Sequence, residues 1–266
     1  EGQARWDDML AHPLAVHDAV ETRGIVRYYD NNNFYREPVV TGELTPDGDV
    51  AADLAAAGES VAADDLQAVL PGPYSLFDLA TDEHYGDEES FLAALAEFLA
   101  GEAEALPEHA TLFLLEPSLV TTPPGDGLDE RASEAIDAVA SAVDSEVVVH
   151  TYWGAFEEKP YAHLLDADID AVGFDLLSDH ETTLYTVQEY GTTDSVALGV
   201  VDGQNTRVES PGTARERIEW FREGVPASTF ETVYATPNTE LFYLPVNRFE
   251  EKLAALGEAT RREVTA

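Results

Sequence analysis

The 266-residue chain has no cysteine and one methionine, Met9. Lacking cysteine, it has no disulfides, thiolate metal sites or cysteine nucleophiles of its own. No apolar run reaches the roughly 20 residues that a membrane-crossing helix needs, so the chain reads as soluble. No signal-like segment is present, and residue 1 is Glu rather than Met, as expected of a processed or trimmed product. Lysine occurs only at Lys159 and Lys252, leaving arginine to supply the other twelve positive charges. Without a basic patch, nucleic acid is not expected as a partner. There is also no G-x-G-x-x-G, the phosphate loop of a dinucleotide-binding sheet.

Acid is what the chain has in excess. Against 14 basic residues stand 53 acidic ones, for a net charge of −39. The acids run the whole length of the chain instead of gathering in one tail, and 44% of residues are hydrophobic. That combination fits a folded domain with an acidic surface, which repels itself at low salt and is relieved by screening. The expectation is a cytoplasmic protein of a salt-loving organism; an ordinary acidic protein would not be so short of lysine.

Short apolar segments recur at 66–72, 111–117, 146–153, 170–177, 195–203 and 231–238. Runs apolar on both faces are the mark of parallel strands buried on both sides. Helical spacing fills the gaps between them: Phe91, Leu92, Leu95, Phe98 and Leu99; Ala132, Ile136, Val139 and Val143; Val246, Phe249, Leu253 and Leu256. Ser178 with Glu181 has capping-box spacing, with Gly191 as the stop. Ser210-Pro211 reads as an N-cap followed by proline at the first helical position. Residues 41–50 read as a hairpin or loop end, and 121–127 as a loop. Alternating strands and helices imply right-handed βαβ units. The predicted fold is α/β, a (β/α)₈ TIM barrel forming one domain over 1–266, with the first one or two strands lying before Glu1. A doubly wound open sheet is the alternative.

In such a barrel the site forms at the C-terminal strand ends. Those positions carry Tyr74, Glu116, His150, Trp153, Asp175, Asp202, Asn205 and Asn238. Each has a structural alternative: Glu116 bracing its loop, His150 donating to a carbonyl, Asp175 capping, Asp202-Gly203 forming a turn. It is their coincidence on one predicted face that argues for a ligand site.

The same residues carry a resemblance. "VLPGPYSLFDLA" resembles the Gly-Pro-x-Thr loop of cobalamin-independent methionine synthase, and "LFLLEPSLV" its Asp-Glu-Pro-Ala-Leu strand end. "HTYWGAF" stands where the family has His-x-Cys or Tyr-Phe-Glu-Gly. "LGVVDGQNTRVESP" is similar to Gly-Leu-Ile-Asn-Gly-Arg-Asn, and "TPNTELFYLP" to Pro-Asp-Cys-Gly-Leu. "VRYYDNNNFYREPVV" resembles a stretch of the family's N-terminal half, as do Gly203-Gln204-Asn205 and Asn31-Asn32-Asn33-Phe34-Tyr35. The resemblance implies a two-barrel enzyme. In it a C-terminal barrel holds zinc through His, Cys, Glu and Cys and transfers methyl from methyltetrahydrofolate to homocysteine. The N-terminal barrel is metal-free and assists with the folate.

Carried across, the four metal positions fall on His150, Tyr152, Asp175 and Thr239. Both thiolates are gone, leaving too few donors for zinc. Leu115 replaces the acid before Glu116 that would meet the substrate amine. The resemblance thus implies a subunit in methyl transfer from a folate-type or related donor to homocysteine, with no cofactor in this chain alone and zinc on a separate partner barrel. Trp153 would stack on a planar ligand, while Glu116 and Asp202 would hydrogen-bond its polar edges. Two alternatives remain. One is a non-catalytic binding or scaffold barrel. The other is a uroporphyrinogen-decarboxylase-like enzyme, with Arg5, Arg23, Arg27 and Arg36 available for an acidic substrate.

Overall fold

The computed structural model describes residues 8, 10–27, 29, 34–47, 49–226, 229–241 and 244–261. The first described elements are a one-turn helix, α1 (His12–Ala15), and an antiparallel hairpin, β1 (Val20–Arg27) and β2 (Phe34–Val40), in register from Val20↔Val40 to Arg27↔Phe34. The sequence reading assigned no strand to a definite stretch here; the two strands found belong to a separate small sheet and not to the barrel wall. β1 lies exposed along nearly its whole length, so it has no buried face to show as alternation. Residues 41–47 are the expected loop, and the helix α2 (Asp49–Gly58) follows.

Seven more strands alternate with helices: β3 (Gln67–Pro71), α3 (Pro73–Leu79), β4 (Thr81–Asp82), α4 (Glu88–Glu104), β5 (Thr111–Leu115), α5 (Ser118–Thr121), α6 (Leu128–Ala140), β6 (Glu146–His150), α7 (Glu158–Leu164), β7 (Ala171–Asp175), α8 (His180–Tyr190), β8 (Ser195–Val201), α9 (Pro211–Gly224), β9 (Val233–Pro237) and α10 (Val246–Ala259). β4 joins the hairpin. The other six form one parallel sheet in the order β3-β5-β6-β7-β8-β9. Each strand lies beside its predecessor, with none of the order reversal of a doubly wound sheet. The curled sheet is the wall of a barrel, with β3 and β9 as its edges. Among the described residues the parallel sheet has six strands, two fewer than a closed eight-stranded barrel.

The two faces of the wall differ. Leu112, Leu114, Val147, Val149, Val172 and Phe174 pack with Leu95, Ile136, Val139 and Phe221 of the helices. Their neighbours Phe113, Leu115, Val148, Ala171 and Ala197 form a second, inner cluster joined by Val69, Tyr152, Trp153 and Tyr234. Strand alternation makes this division, and it decides which strand-end residues can meet. β5, β7 and β8 are buried at every position and β6 at every position but Glu146, whereas β9 is half-buried throughout, as an edge strand should be.

The helix signals hold with three corrections. Ser210 caps α9 by accepting the Thr213 N–H, and Gly191 ends α8 at φ 80°. The cap of α8, however, is Asp179, which accepts the Thr182 N–H, because Ser178 is turned toward Asp175. α6 ends at Ala140, so Val143 lies in the following turn. On α10, Val246, Phe249 and Leu253 are exposed, and the buried face runs through Lys252, Ala255, Leu256 and Ala259. The helix is rotated to bring the Lys252 ammonium onto Glu209 (2.8 Å) and the Arg207 carbonyl.

Candidate functional site

Inner-face alternation continues past the strand ends on β6, β7 and β9. It carries His150, Asp175, Thr236 and Asn238 toward the barrel mouth, each buried except half-buried Thr236. The His150 ring lies flat against Gly173, where a Cβ would come within 2.6 Å of it, so only glycine fits. His150 Nε2 pairs with Thr236 Oγ1 at 2.9 Å, and Nδ1 accepts the Tyr152 N–H at 3.3 Å. Burial holds its imidazole down at about 3, a neutral ring. Asp175 accepts the Leu177 N–H (2.7 Å), the Ser178 N–H (3.2 Å) and the Ser178 hydroxyl (2.5 Å). Burial raises its carboxyl despite these donors and one from Asn238. Asn238 in turn accepts the Gly203 N–H at 3.0 Å, tying β7, β8 and β9 together. Buried Thr239 gives its hydroxyl to the Glu240 carbonyl.

Above this floor stands a cluster of tilted and edge-on aromatic rings. Tyr152 and Trp153 both hold left-handed backbone (φ 59° and 40°), followed by Gly154 at φ 150°. Such conformations are costly for bulky residues and cluster at ligand clamps. The turn throws both rings over the sheet. Centroids run His150–Tyr152 at 4.7 Å, Tyr152–Trp153 at 5.9 Å and Trp153–Tyr29 at 4.9 Å. Trp153 stays partly exposed.

Four expected site residues do not join this group. Glu116 is one position out of phase with Leu115, which faces inward, so it points to the helix side. There it accepts the Tyr74 N–H (2.9 Å), the Ser75 N–H (2.7 Å) and the Ser75 hydroxyl (2.6 Å). It caps the start of α3, and burial raises its carboxyl to about 7 against those donors. Gly72 is required beside it, since a Cβ there would overlap the carboxylate at 2.1 Å. Tyr74 is buried with its hydroxyl on the Thr122 carbonyl. Asp202 and Asn205 sit in the β8–α9 loop, accepting the Gln204 and Arg207 N–H groups, after a register shift between Gly199 and Val201. Of the early arginines, Arg23 is on the surface holding Glu21 and Glu83, and Arg27 and Arg36 are exposed. Arg5 and Asn31, Asn32 and Asn33 lie outside the described residues.

The structure adds acids that sequence reasoning passed over. Glu240 falls on the glycine of the family's Pro-Asp-Cys-Gly-Leu, is only 7% exposed, and has its carboxyl raised to about 8 by burial and by the charge of Asp8. Asp8 is itself buried; its Oδ1 accepts the Leu10 and Ala11 N–H groups. An acid where the family has glycine was the available signal. The donor set does not suit zinc. His150 has both nitrogens engaged, Asp175 both oxygens, and Tyr152 and Thr239 replace thiolates. Among the described residues no group of three or more His, Cys, Asp or Glu could hold a metal. No described helix is long and apolar enough to cross a membrane.

The comparisons fit this geometry. Methionine synthase of Saccharolobus solfataricus is 25% identical over 268 residues, covering 98% of this chain and 77% of its own. That of Sulfolobus acidocaldarius is 22% identical, covering 98% and 75%. Among solved structures, a B12-independent methionine synthase from a Shewanella species, in complex with selenomethionine, superposes with a TM-score of 0.77 at 18% identity, over 97% of this chain and 80% of that one. A putative vitamin-B12 independent methionine synthase from Listeria monocytogenes gives a TM-score of 0.61 at 17% identity, over 91% and 74%. At those identities the structures speak for the fold alone. The family profile described as the N-terminal domain of cobalamin-independent synthase matches residues 15–223. With that match covering most of the chain, this protein belongs to the family of cobalamin-independent synthase N-terminal domains.

Proposed function

We propose that this chain is a metal-free barrel of a methionine synthase, one domain over residues 1–266. It works in the cytoplasm of a salt-adapted cell with a separate zinc-bearing barrel that activates homocysteine. Its own part is to hold the methyl donor, a folate-type or related molecule, by stacking on Trp153 and by the polar floor of the mouth. The observation that carries this reading is the state of the four former metal positions. His150, Tyr152, Asp175 and Thr239 are closed by internal partners and roofed by aromatics, an arrangement built for packing or stacking and not for ligating a thiolate-activating metal. The names of the curated relatives support methionine synthesis as the pathway.

The test is methionine formation from homocysteine in molar potassium chloride, with the chain alone, with a zinc-bearing barrel, and with both. Activity is expected only when both are present, falling about tenfold in Trp153→Ala if one stacking contact with its buried area is lost. Methionine formation by the chain alone, with one zinc per chain lost on His150→Ala, overturns the reading. Full activity in Trp153→Ala, with no folate binding in any mixture, leaves a scaffold that contributes no ligand contacts.

A further inference from the structure

Two adjoining cavities lie beside the β8–α9 loop, lined by none of the His150, Tyr152 and Trp153 rings. One, of about 410 Å³, is lined by Asp202, Asn205, Arg207, Ser210, Thr213 and Arg217 among others. The second, of about 470 Å³, shares Leu177, Asp202, Thr213 and Arg217 with it and runs on to His180, Glu216 and Trp220. Arg217 is the wall they have in common.

Three arginines of the chain hold acid: Arg23, Arg131 and Arg248 each grip carboxylates. Arg207 and Arg217 have no ion pair among the described residues, although 53 acids are available. Arg217 is half-buried and gives one N–H to the Val200 carbonyl at 2.6 Å, which orients the guanidinium and leaves the rest of its fork for the cavity. The acid nearest in sequence to Arg207, Glu209, is already committed. Its Oε2 meets Lys252 and its Oε1 accepts the Asp202 N–H at 3.1 Å. The start of α9, capped by Ser210, opens onto the same space and adds the positive end of a 14-residue helix. Trp220 supplies a flat wall, held edge-on against His180 at 4.8 Å. Asp202 and Glu216 also line the space, so long-range attraction for an anion is weak. In molar salt that opposition is screened within about 3 Å, whereas a direct guanidinium contact survives.

We infer that the double cavity is a binding site for an organic oxyanion: a carboxylate or phosphate carried on a flat apolar body. Arg217 and Arg207 are its counter-charges and Trp220 the surface for its body.

The test is calorimetric titration in molar potassium chloride with 3-phenylpropionate, phenyl phosphate and the uncharged 3-phenylpropanol, with tryptophan fluorescence read alongside. One or both oxyanions bind saturably at one site, and the alcohol at least about tenfold more weakly. Whichever oxyanion binds tighter names the ligand class. Arg207→Ala, at an exposed side chain with no ion pair among the described residues, weakens the oxyanion several-fold. Arg217→Lys keeps the charge and a donor for Val200 but loses the fork, and weakens it about tenfold. Failure of both oxyanions to bind overturns the proposal, as does unchanged affinity in folded Arg207→Ala and Arg217→Lys chains. If Arg217→Lys does not fold, Arg207→Ala decides alone. The readout needs neither methyl donor nor zinc-bearing partner, so its failure is separate from failure of the methyl-transfer reading.

Discussion

At the residue scale, the mouth of the barrel holds groups whose protonation is set by burial, and two of them pull stability in opposite directions with pH. His150 is held near 3 from an ordinary 6.5. Below 6.5 the unfolded chain takes a proton that the folded one refuses, so stability is lost as pH falls from 6.5 toward 3. Glu240 is raised from 4.5 to about 8. Its contribution is fully present below 4.5 and is lost as pH rises through 8, because over that window the folded state keeps a proton that the unfolded state releases. At about 1.4 kcal/mol per pKa unit, the Glu240 loss is on the order of a few kcal/mol. Glu240→Gln removes it. The variant is expected to melt above the parent at pH 8.5, with the gap closing by pH 5. The chain's overall acidity titrates almost alike in both proteins, so it cancels in the difference. A gap of constant size across that range would show that Glu240 is not held protonated.

At the element scale, strand existence was legible because β3, β5, β6, β7, β8 and β9 are dense apolar runs. Strand phase was equally available and went unread. Leu115 and Glu116 cannot both face the mouth, and counting alternate positions from Val148 and Phe113 sends Glu116 to the helix side, where it caps α3. β1 was illegible because an exposed strand carries no burial pattern, and β2 buries Tyr35 and then Pro38, Val39 and Val40 in a row, which does not read as alternation. The face of α10 was misread because a buried lysine counts as polar in any periodicity, yet Lys252 is completely buried. That lysine fastens the β8–α9 loop by pairing with Glu209, whose side chain is 10% exposed. Removing one partner of a buried pair costs about 3–5 kcal/mol, since the other charge is left unpaired. Lys252→Met is therefore expected to lower the melting temperature sharply and to raise amide exchange across 202–210. Lys252→Met with Glu209→Gln recovers most of the loss. If the double variant were no better than the single, packing of the lysine stem, not its charge, would be what holds α10 in place.

At the scale of the whole molecule, the surface is governed by charge of one sign. With a net −39 on 266 residues and only two lysines, the compact state brings like charges together that the unfolded chain spreads apart. Among the described residues, ion pairs that relieve this at the surface, such as Arg131 with Glu89 and Arg248 with Glu251, are exposed, and such pairs each contribute at most about 1 kcal/mol. They cannot offset repulsion summed over the whole surface. Screening can: the Debye length shrinks from about 30 Å at 0.01 M salt, comparable to the domain itself, to about 3 Å at 1 M, shorter than most surface charge separations. The melting temperature is therefore expected to climb steeply through the first molar of potassium chloride. Beyond that point the Coulomb contribution is spent, and only salting-out effects on apolar burial continue the rise. Scanning calorimetry at fixed pH in potassium chloride, with potassium sulfate as a second series, separates these two contributions. Below about 1 M, the two series should coincide when plotted against ionic strength; above it, sulfate should pull ahead. A melting temperature that is flat from 0.05 M to 2 M potassium chloride would mean that the acids are spaced or paired well enough not to repel. The acidic composition would then say nothing about the salt in which this protein works.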